Sequence, residues 1–315
     1  MILKFRLSPS TAPINLSASI NMLKTITYTG LEAGPTFLIV GAIHGNEKCG
    51  TTACHRVMAE IDEGVLQITR GKVIFVPIGN PRAYQLDKRF VERNLNRYLV
   101  PMDNPNCYEA QLGNILCPLL QECDAHLSIH SYTVGGDPFI FVSPDNKQEH
   151  QLANCLGPWT LLTGWQEAYA ATSPKSKQCD DEEATGSVEY ARRYGALAIN
   201  IECGQHKDPH APDVAYQAIR NALRYLGHTS ELSLPRPQQS PRIVTVTHVI
   251  YRDDMGTFTK PWKHLERVAK DEIIAFNVKG DPLLSPSNGF IIMPKADTPI
   301  GEEWYYIGVE KAIEA

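Results

Sequence analysis

Residues 36–47, Thr-Phe-Leu-Ile-Val-Gly-Ala-Ile-His-Gly-Asn-Glu, contain the pattern that decides the fold. The continuous apolar run from Phe37 to Ile43 is typical of a central strand that is covered on both faces. The run ends abruptly in His44-Gly45-Asn46-Glu47. Histidine and glutamate side chains both bind metal ions, and here a buried strand delivers them three residues apart onto a glycine turn. The stretch therefore predicts a metal site at the end of a buried strand.

Strands alternate with helices around this stretch, as far as residue 230. Besides one or two opening strands within residues 14–29, buried strands are predicted over Lys72–Ile78, His126–His130, Phe139–Val142 and Ala196–Ile201. Apolar residues at helical spacing predict helices over Lys48–Ile61, Tyr108–Gln121, Lys147–Leu156, Ser187–Tyr194 and Val214–Leu226. This order favours an α/β fold in which a mostly parallel or mixed sheet is flanked by helices.

The composition changes near the end of this alternation. Residues 228–241 contain three prolines together with Ser and Gln, which is typical of a linker. Short strands with turn signals between them follow, over Ile243–Ile250, Glu272–Val278, Phe290–Met293 and Trp304–Val309. We therefore predict a catalytic α/β domain over residues 1–230. A small all-β C-terminal domain over residues 231–315 is expected to cap the active site.

Four polar residues each stand where an apolar strand is predicted to end. They are His44, Asn80, His130 and Glu202. In open α/β sheets, ligands bind at the carboxyl ends of the strands. A catalytic zinc commonly has three protein ligands and one water, so His130 is expected to complete the set that His44 and Glu47 begin. His126 is the rival third ligand, but it precedes its strand. Glu202 is expected to act as general base toward the water.

The segment over residues 81–106 is rich in Arg, Asn and Pro, which predicts a long binding loop with little regular structure. It carries Arg82, Arg89, Arg93 and Arg97. Four positive groups in one loop beside the expected metal indicate an anionic substrate. We interpret Arg82 and Arg93 as structural.

Three other polar features receive structural interpretations. The segment between Trp165 and Gly186 includes the acidic run Asp180–Glu183 and is interpreted as an exposed excursion or lid. His206 and His210 follow the expected base and are interpreted as loop residues.

A histidine and glutamate after a strand, with a remote histidine at another strand end, resemble the zinc carboxypeptidase-like superfamily. Within it, the sequence resembles the succinylglutamate desuccinylase/aspartoacylase family. The motifs that carry this resemblance are Gly41–Glu47, Asn80–Ala83, Arg89, Asn94–Arg97, Ser128–His130 and Gly195–Gly204. They span most of residues 36–204 in the family's order, and a C-terminal β domain is also a family feature.

The resemblance implies a zinc-dependent chemistry with one Zn²⁺ per chain. His44, Glu47 and His130 would be its ligands and Glu202 the base. Arg89 would polarise the scissile carbonyl. Asn96 and Arg97 would hold a substrate carboxylate, because a guanidinium pairs with a carboxylate through two N–H groups.

Two further substrate-binding positions follow from the same resemblance. The family has an arginine on the helix before the glutamate strand, where Arg192 or Arg193 stands here. Spacing does not choose between the two. The family also closes its site with a tyrosine near the C-terminus, and Tyr305 is the candidate.

This chain departs from the family pattern at three places. Ser128 stands where the family usually has an aspartate two residues before the third ligand. Asn94 stands where the family often has an aspartate at the start of its Asp-Leu-Asn-Arg motif. The residues after Glu202 also differ from the aspartoacylase version. These departures bear on substrate identity more than on zinc binding.

The bulk properties exclude some classes of protein. A net charge of −5 and a pI of about 6.1 do not favour a nucleic-acid partner. No stretch approaches the roughly 18 apolar residues of a membrane span. The first residues lack a secretory pattern, because Lys4 and Arg6 interrupt the apolar run, and we expect a cytoplasmic enzyme. Homo-oligomerisation stays open.

The sequence therefore predicts a zinc-dependent amide hydrolase that removes the acyl group from a small, anionic N-acyl amino acid. One alternative is a carboxypeptidase-like metallopeptidase that acts on short peptides. Another is a non-catalytic protein on the same scaffold.

Overall fold

The computed structural model describes residues 22–158, 160–172, 185–230 and 241–310. The helices are α1 (Cys49–Asp62), α2 (Pro81–Gln85), α3 (Tyr108–Glu122), α4 (Lys147–Leu156), α5 (Trp165–Thr172), α6 (Ser187–Arg193) and α7 (Ala211–Tyr225). Strands β1 to β7 are Ile26–Thr29, Glu32–Gly41, Arg70–Val76, Ala125–Tyr132, Phe139–Phe141, Thr160–Thr163 and Leu197–Gln205. Strands β8 to β14 are Arg242–Tyr251, Thr257–Phe258, Glu266–Val268, Ile273–Phe276, Pro282–Leu284, Gly289–Ile292 and Glu303–Glu310.

The main sheet has eleven strands in the order β1-β3-β2-β4-β7-β5-β6-β8-β14-β13-β10. At its centre, β2 is parallel to β3 and β4, and β4 is parallel to β7. Strands β1 and β5 are antiparallel to their neighbours β3 and β7. The predicted α/β fold with a mixed, helix-flanked sheet is therefore confirmed.

Strand β2 explains why the apolar run in the sequence is continuous. Phe37 and Ile39 pack into a core cluster that includes residues of α1, α4 and α7. Leu38 and Val40 point to the opposite face, into a second cluster that includes residues of α3 and α6. Side chains of a strand alternate between the two faces of a sheet, so a strand covered on both faces needs apolar residues at every position.

The structure moves some predicted boundaries. Strand β2 ends at Gly41, two residues before the predicted end, because Ala42 adopts a left-handed φ of 45° that a strand does not accommodate. Strand β7 continues to Gln205, so Glu202 lies inside the strand and not after it. Strand β4 is likewise longer than predicted and contains both His126 and His130, so His130 does not end its strand and His126 does not precede it. The loop over residues 81–106 contains α2 and a 3₁₀ turn at Leu95–Arg97, so it has more regular structure than predicted.

The C-terminal segment is all-β within residues 241–310, as predicted. Its strand β8 pairs in parallel with β6, so β8, β14, β13 and β10 continue the main sheet. Only β9, β11 and β12 form a separate sheet of three strands. The division into domains at residue 230 thus remains a proposal, and one sheet crosses the proposed boundary.

Some predictions concern residues that the structure does not describe. The acidic run Asp180–Glu183, residues 14–21 of the opening segment and residues 231–240 of the linker lie outside the described residues. Among the residues that are described, no helix is long and apolar enough to cross a membrane.

Candidate metal centre and active site

The three predicted ligands, His44, Glu47 and His130, converge on one point. The Nδ1 atoms of His44 and His130 lie 2.8 Å from the two oxygens of the Glu47 carboxylate. The two Nδ1 atoms are 3.3 Å apart. All three side chains are buried, and their ligand atoms lie within 4.8 Å of one another. Burying three polar side chains costs free energy, and clusters of this kind are common at functional sites.

The backbone after β2 is shaped to present His44 and Glu47. Gly45 passes so close to α2 that a Cβ atom there would lie 2.0 Å from the carbonyl carbon of Ala83. Only glycine fits this approach. The amide of Gly45 donates to the carbonyl of Arg89, which ties this turn to the arginine loop. The sequence His-Gly-Asn-Glu therefore makes a turn that cannot be built with a larger second residue.

Asn94 determines which nitrogen of His44 is available to a metal. The Oδ1 atom of Asn94 accepts a hydrogen bond from the backbone amide of Asn96 at 3.0 Å, and it lies 3.0 Å from Nε2 of His44. Because a backbone amide only donates, the Asn94 atom at this position is the oxygen. Nε2 of His44 therefore carries the proton. Its Nδ1 is left with a lone pair directed at Glu47 and His130.

Ser128 contacts the corresponding nitrogen of His130. Its hydroxyl oxygen lies 2.8 Å from Nε2 of His130. The Ser187 hydroxyl lies 3.2 Å from that oxygen, and Nε2 of His126 lies 3.1 Å from the Ser187 hydroxyl. His126, the rival third ligand, is thus engaged elsewhere, because its Nδ1 also faces the carbonyl of Leu38 at 3.1 Å.

The electrostatics of the three converging groups favour metal binding. Burial, assisted by the positive charge of Arg89, lowers the pKa of His44 to about 3, so the imidazole is neutral. Nη1 of Arg89 and the backbone amide of Ser131 donate to the two oxygens of Glu47, which favours the ionised carboxylate. Neutral imidazole and ionised carboxylate are the forms that ligate a metal.

The spacing of the ligand atoms can be compared with zinc. Two nitrogens at about 2.0–2.1 Å from one tetrahedral zinc lie about 3.3–3.4 Å apart. The two Nδ1 atoms here are 3.3 Å apart. In the tautomer with Nε2 protonated, two lone pairs face each other beside a carboxylate, and a cation between them would relieve the repulsion. The residue types and the separation of the two Nδ1 atoms therefore fit a zinc ion, whereas the Glu47 oxygens, 2.8 Å from these nitrogens, lie closer to them than two ligands of one tetrahedral zinc.

Glu202 lies beside these groups without a fixed partner of its own. It is 8% exposed, and its Oε2 atom is buried without a hydrogen-bond partner among the described residues. Burial and the negative charge of Glu47 raise the pKa of Glu202 well above its usual range, and Arg89 opposes this only in part. A carboxyl group with a raised pKa and free lone pairs is suited to exchange protons.

Arg89 contacts the cluster from the arginine loop. Its Nη1 donates to Oε1 of Glu47 at 2.9 Å, and 34% of its side chain is exposed. The guanidinium thus holds the Glu47 carboxylate in place, and its exposed part is accessible to a bound molecule.

The arginine loop itself is held by a buried carboxylate that sequence reasoning missed. Glu109 on α3 is fully buried and accepts from the backbone amides of Val91, Glu92 and Arg93. It also accepts from the side-chain amide of Asn80 at 3.1 Å. Four N–H donors satisfy one charge and fix the loop beside the strand ends.

Arg97 is not an open anion-binding group in this structure. Its Nη2 lies 3.3 Å from both carboxylate oxygens of Glu303, on β14. Its guanidinium also stacks over the ring of Trp165 at 4.7 Å. Burial would raise the pKa of Glu303, but Arg97 and Lys295 lower it to about 2. Asn96 is also in use, because its Oδ1 accepts from the amide of Ser187 at 2.9 Å.

The structure places Tyr306 beside this ion pair, and not the predicted Tyr305. The hydroxyl of Tyr306 donates to Glu303 at 2.8 Å. Tyr305 is buried in the core of the C-terminal segment, against Phe258 and Trp304. The structure therefore does not support a substrate contact by Tyr305, because its ring is taken up by packing.

The structure also does not bring Arg192 to the site. Its Nε and Nη2 atoms donate to the two oxygens of Glu149, at 2.8 and 2.7 Å. Glu149, on α4, is fully buried and depends on this pairing. Arg193, the other candidate, donates to Thr185 at 2.7 Å. Neither contact reaches the converging ligands, and a role for Arg192 in substrate binding is not supported.

Two cationic or titratable side chains near the site were not identified as such from the sequence. The positive charge of Lys295 opposes the rise in the pKa of Glu202 and, after that of Arg97, helps to lower the pKa of Glu303, while burial lowers the pKa of Lys295 itself. His206 is joined to Ser131, next to His130, by a 2.8 Å contact between its Nδ1 and the serine hydroxyl. Strand β7 runs to Gln205, and this extension carries His206 back toward the site. Only the length of that strand, which the sequence did not reveal, would have indicated it.

Comparisons with known proteins bear on the family and the fold of this chain. The family model for the succinylglutamate desuccinylase/aspartoacylase catalytic domain matches residues 33–228. A succinylglutamate desuccinylase from Shewanella amazonensis is 23% identical over 288 residues, covering 84% of this chain and 79% of that protein. Another, from Vibrio vulnificus, is 21% identical over 293 residues, covering 89% and 82%. The crystal structure of a succinylglutamate desuccinylase/aspartoacylase from Rhodobacter sphaeroides has the same fold. Its TM-score is 0.73 at 17% identity, with 92% of this chain and 89% of that chain covered.

Proposed function

Because the chain belongs to the succinylglutamate desuccinylase/aspartoacylase family, we propose that it is a zinc-dependent amide hydrolase. Its substrate is an N-acyl amino acid or a related small amide that bears a carboxylate. The observation that carries this proposal is the convergence of His44, Glu47 and His130 near Glu202, whose Oε2 atom has no hydrogen-bond partner among the described residues. His44, Glu47 and His130 would hold one zinc ion. When bound, zinc would supply a Lewis acid that makes water more acidic and polarises a carbonyl.

Glu202 supplies the proton transfers. With its raised pKa it accepts a proton from the attacking water and then delivers that proton to the amide nitrogen as the C–N bond breaks. One carboxyl group serves both steps, since it returns to its ionised form at the end. Glu202 has no competing hydrogen-bond partner at Oε2, so its lone pairs remain available for this exchange.

Arg89 stabilises the negative charge that develops on the carbonyl oxygen. Its contact with Glu47 fixes the guanidinium, and about a third of the side chain remains exposed. Donors that are already oriented cost no reorganisation when the charge forms. Arg89 therefore contributes more in the transition state than in the bound substrate.

The charge balance supports an anionic substrate. Arg89, Arg97 and Lys295 supply three positive charges, and the carboxylates of Glu47, Glu202 and Glu303 can offset all of them. A divalent zinc ion would make the site net positive and attract a carboxylate. We propose that the amide nitrogen of Asn96 and the N–H group of Arg97 Nη1 that does not bond to the Asn96 carbonyl hold the substrate carboxylate, with Tyr306 closing the pocket.

A substrate panel tests this function on the zinc-loaded protein. Release of free amine is measured from N-acetyl and N-succinyl amino acids, and in parallel from short peptides with free C-termini. The proposal predicts turnover of N-acyl amino acids without peptide cleavage. Cleavage of the peptides alone would replace it with the metallopeptidase alternative. No turnover of any member, with zinc bound, would favour a non-catalytic protein.

A further inference from the structure

A chain of buried polar groups leads from His130 into the interior. It consists of Ser128, Ser187 and His126, which are all fully buried. The successive separations are 2.8 Å from Nε2 of His130 to the Ser128 hydroxyl, 3.2 Å to the Ser187 hydroxyl and 3.1 Å to Nε2 of His126. The chain ends at the carbonyl of Leu38, 3.1 Å from Nδ1 of His126. It occupies the place where the family usually has a single aspartate beside the third ligand.

The carbonyl of Leu38 determines which ring nitrogen of His126 carries the proton. A carbonyl oxygen only accepts, so Nδ1 of His126 carries the proton. The burial that holds the pKa of His126 at about 4 keeps this ring neutral, so its Nε2 is an acceptor. The geometry allows the single hydroxyl proton of Ser187 to be donated either to the oxygen of Ser128 or to that nitrogen. Ser187 is the only partner of this nitrogen among the described residues, so donation to Ser128 would leave a buried acceptor without a hydrogen bond, and donation to His126 is favoured.

One arrangement gives every member of the chain a donor or acceptor. When Ser187 donates to His126, the Ser187 oxygen can accept the proton of Ser128. The oxygen of Ser128 is then left to accept from Nε2–H of His130. Without the chain, a serine hydroxyl beside Nε2 could equally donate, which would place the ring proton on Nδ1 and block metal binding. A carboxylate has no such ambiguity, because it only accepts.

We propose that Ser128, Ser187 and His126 act together as positioning residues that fix His130 with the lone pair of Nδ1 toward the metal. This inference rests on the proposed zinc site. The three residues touch neither substrate nor metal, and they act through the orientation and tautomer of one ligand. In this protein, the three residues replace the carboxylate that the family usually provides.

The zinc affinity of the metal-free protein, measured by competition with a chromophoric chelator, tests the proposal. Ser187→Ala removes the middle of the chain but keeps the backbone amide that Asn96 caps. Loss of such support typically weakens metal binding about 10–100-fold, and we expect a loss in this range. Ser285→Ala is the matched control, because Ser285 is equally buried but bonds to Ser287 in the C-terminal segment. Its zinc affinity should equal that of the wild type.

A second set of variants distinguishes the loss of His130 positioning from a general loss of protein stability. In Ser128→Asp, a carboxylate can accept from His130 without help, so adding Ser187→Ala should leave the zinc affinity unchanged. His126→Asn provides an independent route, since the shorter amide cannot bridge Leu38 and Ser187. It should weaken zinc binding as Ser187→Ala does, with no further loss in the double variant.

The outcomes distinguish the inference from the function on which it rests. Wild-type affinity in Ser187→Ala, with zinc bound by both proteins, would overturn the positioning role alone. Equal losses from Ser187→Ala in the native and Ser128→Asp backgrounds, or additive losses from His126→Asn and Ser187→Ala, would also overturn it. A wild-type protein that binds no zinc would overturn the proposed function itself, and this inference with it.

Discussion

His130 on β4 and Glu202 on β7 are register partners in neighbouring parallel strands. Partners at the same level of a sheet direct their side chains to the same face. The proposed third ligand and the proposed base are therefore held side by side by backbone hydrogen bonds at the centre of the sheet. A site built on rigid strands keeps its geometry without depending on loop closure.

The first prediction concerns the identity of the base. Glu202→Gln keeps the size of the side chain but cannot accept a proton from water. We expect kcat to fall by about 10²–10⁴, the usual contribution of general acid–base catalysis, while bound zinc stays at the wild-type level. Steady-state kinetics and metal analysis of the same sample measure both. Near-wild-type turnover in Glu202→Gln would remove Glu202 as the base.

The second prediction concerns the protonation of Glu202 in the metal-free protein. Burial and the negative charge of Glu47 raise the pKa of Glu202 well above 4.5, so its carboxyl group should stay protonated at pH values where an ordinary glutamate is ionised. Infrared difference spectra of the wild type and Glu202→Gln, recorded across pH, measure this titration. Adding zinc should shift the titration to lower pH, because a nearby cation favours the ionised form. Half-ionisation at pH 4.5 in the metal-free protein would contradict the raised pKa.

The third prediction compares two adjacent tyrosines. Tyr306→Phe removes the hydroxyl that donates to Glu303 and so loosens the partner of Arg97. A hydrogen bond to a charged group contributes about 1.5–3 kcal/mol, so we expect KM for the N-acyl amino acid to rise about tenfold or more. Tyr305→Phe is the control, since that ring packs in the core, and its KM should be unchanged. A larger effect from Tyr305→Phe would restore the role predicted from the sequence.

The fourth prediction concerns Arg192. Arg192→Gln leaves the buried carboxylate of Glu149 without its counter-charge, because both oxygens now pair with this guanidinium. We expect the free energy of unfolding to fall by about 3 kcal/mol, with KM unchanged. Urea denaturation and steady-state kinetics measure the two quantities. A raised KM at unchanged stability would indicate that Arg192 does bind substrate.

The residues that converge on the metal position could be predicted because they follow from strand geometry. A run that is apolar at every position indicates a strand covered on both faces, and the carboxyl ends of such strands meet at one edge of the sheet. His44, Glu47 and His130 required only this rule and the chemistry of their side chains. The structure brings them together as expected.

The arrangement of the proposed substrate-binding residues could not be predicted in the same way. Arg97 and Glu303 are 206 positions apart, and nothing local indicates their pairing. The choice between Tyr305 and Tyr306 depends on a register shift in β14 between Glu303 and Tyr305. In a regular strand, residues three apart face opposite sides, but an extra residue at a bulge brings Glu303 and Tyr306 to the same side.

The most direct test of the account is a zinc titration of metal-free protein, followed by the release of amine from N-acetyl and N-succinyl amino acids. We predict that hydrolysis is absent without zinc, rises in proportion to added zinc and saturates at one ion per chain. The same titration of a variant with His44→Ala should show no rise. Hydrolysis that proceeds fully without metal, or that stays absent at saturating zinc, would contradict the central claim.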